Sequence, residues 1–204
     1  MITSKIMPRP KNPRLPAMLL EAARELLVQH NHPGFSLRAL SAHVGYTLTA
    51  VYRCYENRGA LLRALQLHLF TELNSFTVPP PGLTAYDAVL HSGRKFVEWA
   101  VAHPAEYLFM FSNYDPEVLL SGKDARTAQA GLHMLVELLR LARRNGEVTI
   151  DEPEAAAVQL ITSLHGIVSL SLTGRLAGTV GEDLLGFFDT HVEAQLRSLI
   201  PRTK

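Results

Sequence analysis

Apolar residues recur along this chain at intervals of three and four, the period of an amphipathic helix, and no stretch alternates convincingly in the period of two that marks a half-buried strand. Leu15, Met18, Leu19, Ala22, Ala23, Leu26 and Leu27 form one such face. It predicts a first helix from about Pro16, which tolerates a missing N–H at the first turn, to His30. Asn31, His32, Pro33 and Gly34 stop it. Ser36 is placed to cap a short second helix, LRALSAHV, with Leu37, Leu40 and Val44 inward. Gly45 follows where a chain leaves a helix in the left-handed conformation, and Thr47 caps a third helix, LTAVYRCY. Asn57 caps a fourth, with Leu61, Leu62, Leu65, Leu69 and Leu73 as its buried stripe. The run Pro79 to Pro81, closed by Gly82, breaks the chain before a second helical block. Helices are predicted there over 83–102, 104–111, 124–145, 153–176 and 182–199, with Gly181 ahead of the last.

The predicted class is therefore all-α. A flexible basic arm occupies 1–15, because four prolines in the first sixteen residues forbid a continuous helix. A helix-turn-helix unit occupies 16–75, and a helical bundle 76–204.

Composition narrows the class further. A hydrophobic fraction of 47% is too high for a disordered chain. The one cysteine, Cys54, excludes an intramolecular disulfide framework and fits a reducing compartment. With no apolar segment in MITSKIMPRPKNPRLP, nothing suggests secretion, and the expected location is the cytoplasm. Ala155 to Gly174 lacks Asp, Glu, Lys and Arg and is long enough to cross a bilayer. Seven of its twenty residues are polar, so it reads as a bundle or dimer-interface helix rather than a span. The net charge of +1 hides an asymmetry: residues 1–75 carry nine Lys/Arg against four Glu, and the remainder has an acidic excess. A polyanion would meet the first part only.

Catalysis finds little support. There is no HExxH, CxxC, P-loop or nucleophile elbow, and the acidic residues Asp151, Glu152 and Glu154 beside Pro153 read as a helix N-terminus favouring negative charge. No cofactor and no metal site is expected. The informative segment is SLRALSAHVGYTLTAVYRCY, Ser36 to Tyr55, where two helices joined at Gly45 fit a helix-turn-helix whose second helix enters the major groove of duplex DNA. That second helix is rich in groups suited to DNA: Thr47, Thr49, Tyr52, Arg53 and Tyr55. Ser36 and Thr47 could place helix N-termini against phosphate or serve as ordinary caps.

These residues resemble the DNA-binding domain of TetR-type regulators. MLLEAARELL matches that family's first-helix pattern I-L-x-A-A-x-x-L-F. SLRALSAHVGYT matches T-S-V-R-x-I-A-x-x-A-G-V-S, and VYRCYENRGALL matches L-Y-x-H-F-x-S-K-E-x-L. In the second block HPAEYLFMFS is similar to H-P-x-L-Y-x-L-M-F of one subgroup, and SLHGIVSL to its W-H-G helix, with Leu164 in place of Trp. The resemblance implies that Ser36 and Arg38 approach phosphates, and that Thr47, Leu48 and Thr49 face bases and phosphates. It further implies that Tyr52 donates its hydroxyl to a phosphate, that Arg53 reaches a phosphate or a guanine edge, and that Arg58 faces the backbone. Tyr55 corresponds to a buried Phe. The chain departs from the usual Val-Ser-Lys-Gly-Ala of the turn with Tyr46, Thr47, Leu48, Thr49 and Ala50, which alters what the operator must offer.

The implied function is a ligand-responsive repressor binding a palindromic operator as a homodimer. The alternatives are an all-helical small-molecule-binding protein and a DNA-binding protein without operator recognition. A sequence-blind compacting protein should be far more basic than +1. Phe96, Trp99, Met110, Met134, Thr162 and His165 are the candidate lining of a pocket for a small apolar or amphipathic effector. Each reads equally as core, and His165 as a hydrogen-bonded core histidine. Other aromatics of the block, Tyr114 among them, belong to the same apolar set. The last two helices are the expected dimer surface: Ser163, Gly166, Ser169 and Ser171 permit close approach, while Val168, Leu172, Leu184, Leu185, Phe188, Val192 and Leu196 supply apolar area.

Overall fold

In a computed structural model of the protein, the structure describes residues 12–30, 35–112, 116–176 and 183–197. Most of the predicted arm, the stop at residues 31–34, Tyr114, Gly181 and the side chains of Leu184 and Leu196 lie outside the described residues. All regular structure among the described residues is helical: α1 (Leu15–His30), α2 (Leu37–His43), α3 (Leu48–Cys54), α4 (Arg58–Phe76), α5 (Ala85–Ala102), α6 (Pro104–Phe111), α7 (Gly122–Ala128), α8 (Ala130–Arg144), α9 (Pro153–Leu172) and α10 (Leu184–Arg197), with a short 3-10 turn at Pro116–Val118. The chain divides into two compact units, 1–65 and 66–204. The division falls inside α4 rather than after it, because the second half of that helix supplies Phe70, Leu73 and Asn74 to a cavity of the second unit.

In the first unit α1, α2 and α3 pack on one another. Leu19, Leu27, Leu40 and Val51 are buried where the helices meet. The caps fall where the sequence placed them. Ser36 Oγ accepts from the Ala39 N–H at 3.1 Å, Thr47 Oγ1 from Ala50 at 3.3 Å and Asn57 Oδ1 from Ala60 at 2.8 Å. Between α2 and α3, Gly45 has φ +66°, and the Tyr46 N–H reaches back to the Ser41 carbonyl while that of Gly45 reaches Ala42. This paired closure needs a left-handed residue, which glycine supplies without a Cβ penalty.

In the second unit α5, α8, α9 and α10 pack together. The predicted helix 124–145 is in fact two. Asn74 Nδ2 donates to the Thr127 carbonyl at 2.8 Å. A continuous helix would have offered that carbonyl to Gly131, so the tertiary contact coincides with the break between α7 and α8. The predicted helix 153–176 stops at Leu172, because Gly174 turns left-handed at φ +72° and the Arg175 N–H closes onto the Leu170 carbonyl. By length and mean hydropathy (1.5) α9 is apolar enough to cross a membrane. In this fold it packs against α5, α8 and α10.

Candidate nucleic-acid interface and ligand cavity

The seven residues of α3 bury one side chain, Val51, which is 0% exposed. Everything polar on the helix turns outward: Thr47, Thr49 and Arg53 are exposed, Tyr52 is 49% exposed, and Leu48 is half-buried. Ser36 and Arg38, at the start of α2, are exposed as well. Tyr55 is different in kind. Its hydroxyl donates to the Pro16 carbonyl at 3.2 Å and burial raises its pKa, so it ties the end of α3 to the start of α1. Arg58 is half-buried and donates Nε to the Phe35 carbonyl at 3.4 Å, bracing the entrance to α2. Tyr46, in the turn, accepts a hydrogen bond from Asn12 Nδ2 at 3.1 Å. The first unit thus presents a short helix held by an apolar anchor and end ties, with a hydroxyl- and guanidinium-bearing face open to solvent.

The second unit contains a cavity of about 130 Å³. Of the six residues predicted to line it, Phe96, Met134 and His165 do. Trp99, Met110 and Thr162 lie outside the lining. Trp99 is buried, with its indole N–H donating to Glu72 Oε1 at 3.0 Å. Met110 is buried on α6. Thr162 is on the outer side of α9, its hydroxyl donating to the Val158 carbonyl at 2.7 Å. Helical period alone does not separate these from the lining, because side chains three and four apart share a face whether that face meets core or cavity. Asn74, Ser92, Gly93 and Phe188 also line the cavity, none of them among the predicted lining residues. A usable signal was present: Ser92 and Gly93 stand at core spacing between Val89 and Phe96, where small residues leave room. A Cβ at Gly93 would lie 2.9 Å from Phe188 Cζ, so this glycine is what admits the ring.

His165 sits in an aromatic nest. Its ring centroid is 4.6 Å from that of Phe111 and 4.9 Å from that of Phe96, both at steep angles, and Nδ1 lies 3.0 Å from the Tyr107 hydroxyl. Burial lowers the His165 pKa from 6.5 to about 4 and pushes the Tyr107 hydroxyl up to about 12. The imidazole is neutral at physiological pH.

Three of the apolar side chains predicted for an interface on the last two helices are already covered. Val168, Phe188 and Val192 are buried within this chain's own bundle. They are unavailable to a partner, since α9 and α10 pack on each other and on α5. Val158 and Leu170 remain exposed on α9, at 51% and 39%, in one four-residue stripe with exposed Thr162 and with Gly166. A Cβ added at Gly166 would meet nothing within 4 Å.

Fold and sites together define an all-helical protein with a helix-turn-helix in one unit and a ligand-sized cavity in the other. Residues 89–195, more than half of the chain, match the family model described as the tetracyclin repressor-like C-terminal domain. An HTH-type transcriptional regulator of Mycobacterium tuberculosis is 28% identical over 107 residues, which are 50% of this chain and 46% of that protein. One from Mycobacterium bovis is equally similar. The chain spans about half the length of the curated relatives it matches. Among solved structures, a protein of unknown function from Rhodococcus sp. RHA1 superposes with a TM-score of 0.81 at 21% identity, covering 96% of this chain and 100% of that one. A bacterial regulatory protein in the tetR family from Rhodococcus RHA1 gives 0.68 at 18% identity, covering 94% and 100%. At such identities the likeness establishes the fold. The family match establishes membership: this chain belongs to the TetR family.

Proposed function

We propose that the protein is a ligand-responsive transcriptional repressor that binds a palindromic operator as a homodimer. The observation that carries this reading is the orientation of α3, which buries only Val51 and turns Thr49, Tyr52 and Arg53 to solvent. A helix so presented can enter a major groove, with Thr47, Leu48, Thr49 and Arg53 near base edges and Ser36, Arg38, Tyr52 and Arg58 near phosphates. The regulator names of the mycobacterial relatives agree with it.

The dimer is assigned to α9 and α10, through the stripe of Val158, Thr162, Gly166 and Leu170, where open space at Gly166 lets a second helix approach closely. Two-fold symmetry then sets two copies of α3 at half-sites ~34 Å apart. The cavity is assigned to a small apolar or amphipathic effector. A ligand that binds the non-operator spacing of the two copies more tightly lowers operator affinity by its differential affinity, typically ~1–3 kcal/mol.

Selection of bound sites from random duplex DNA by the purified protein tests the reading. A palindrome is expected. Recovery of unenriched sequence would establish sequence-blind binding and overturn operator recognition.

A further inference from the structure

The polar groups around the cavity show what it can hold. Ser92 Oγ donates to the Ala88 carbonyl at 2.9 Å, and Thr77 Oγ1 donates to the Asn74 carbonyl at 3.2 Å. The Asn74 amide donates to Thr127. The two hydroxyl protons and an Asn74 amide proton thus go to the protein's own backbone. Among the described residues no Asp, Glu, Lys or Arg lines the space. His165 remains, with Nδ1 occupied by Tyr107 and Nε2 without a hydrogen bond among the described residues.

Resting on the reading of this cavity as the effector site, we propose that it takes a neutral, single-ring aromatic alcohol, a phenol-class ligand whose hydroxyl bonds to His165 Nε2. The volume, about 130 Å³, is close to that of apolar protein cavities that hold benzene, roughly 150 Å³. The walls present the rings of Phe96, Phe111 and Phe188, which favour edge and offset contacts with a flat guest. Charge is excluded, because a carboxylate or ammonium would lose its water and meet a neutral imidazole and no counter-ion. A hydroxyl both donates and accepts, so it satisfies Nε2 in whichever tautomer the Tyr107 contact selects, whereas a ketone needs one tautomer only.

Isothermal titration of the full-length protein at neutral pH with phenol, toluene and benzoate tests the assignment. Phenol is expected to bind about fivefold more tightly than toluene, the worth of one net hydrogen bond, with benzoate weakest. His165→Phe leaves the phenol hydroxyl without a partner and should drop phenol below toluene, with toluene unchanged. Leu164→Trp, which fills the space from its lining, should abolish both. Toluene matching phenol in the wild-type protein overturns the hydroxyl contact while leaving the effector cavity standing. Benzoate binding most tightly overturns the neutrality argument in the same way. Failure of all three probes overturns the single-ring assignment while leaving the effector cavity open to another ligand class. The wild-type comparison decides the matter even if His165→Phe does not fold.

Discussion

Replacing Gly45 by alanine isolates the turn on which the helix-turn-helix depends. An added Cβ would meet nothing within 4 Å, so no clash complicates the result, and only the backbone at φ +66° opposes the substitution. For an L-residue the left-handed conformation costs roughly 1–2 kcal/mol. Alanine recovers about 0.4–1 kcal/mol by restricting the unfolded chain. The two oppose each other, and strain wins, leaving a net loss of about 0.5–1 kcal/mol. Asparagine, which tolerates this conformation better, should lose less than alanine. Urea unfolding of the full chain, followed by far-ultraviolet circular dichroism, reads the change as a lower midpoint at unchanged slope. The sign is decisive. A raised midpoint for Gly45→Ala would mean that the position needs no left-handed backbone, and the closure of Tyr46 onto Ser41 would then be wrong.

Tyr52→Phe should weaken binding to every DNA sequence about equally, because a phosphate contact carries no base information; a changed preferred site in a repeat of the random-duplex selection would refute that role. Gly166→Arg should convert the protein to a monomer in analytical ultracentrifugation with helicity unchanged, since the side chain projects into open space in the single copy; a persisting dimer would remove the α9 stripe from the interface. Burial holds the His165 pKa at about 4 against 6.5 unperturbed, so its contribution to stability is complete above pH 6.5 and is lost progressively as pH falls toward 4, where the unfolded chain takes up the proton first. The gap in unfolding midpoint between wild type and His165→Phe should therefore vary across that window, and a constant gap would show that the ring is not kept neutral by the fold.

The helical class, the caps at Ser36, Thr47 and Asn57 and the left-handed turn at Gly45 were determined by the sequence, because each depends on residues within about four positions of one another. The outward face of α3 was legible for the same reason: with Val51 inward, Thr49, Tyr52 and Arg53 of so short a helix face solvent. Tertiary structure decided what local pattern does not encode. Trp99 and Phe96 share α5 and a similar burial, yet one engages Glu72 and the other walls the cavity. The break between α7 and α8 coincides with a side chain more than fifty residues away in the sequence. Phe188 and Val192 look like interface residues until α5 is seen to cover them. In each case the deciding contact joins distant parts of the chain, and helical period states only that a face is apolar, not whether protein, ligand or a second copy lies against it.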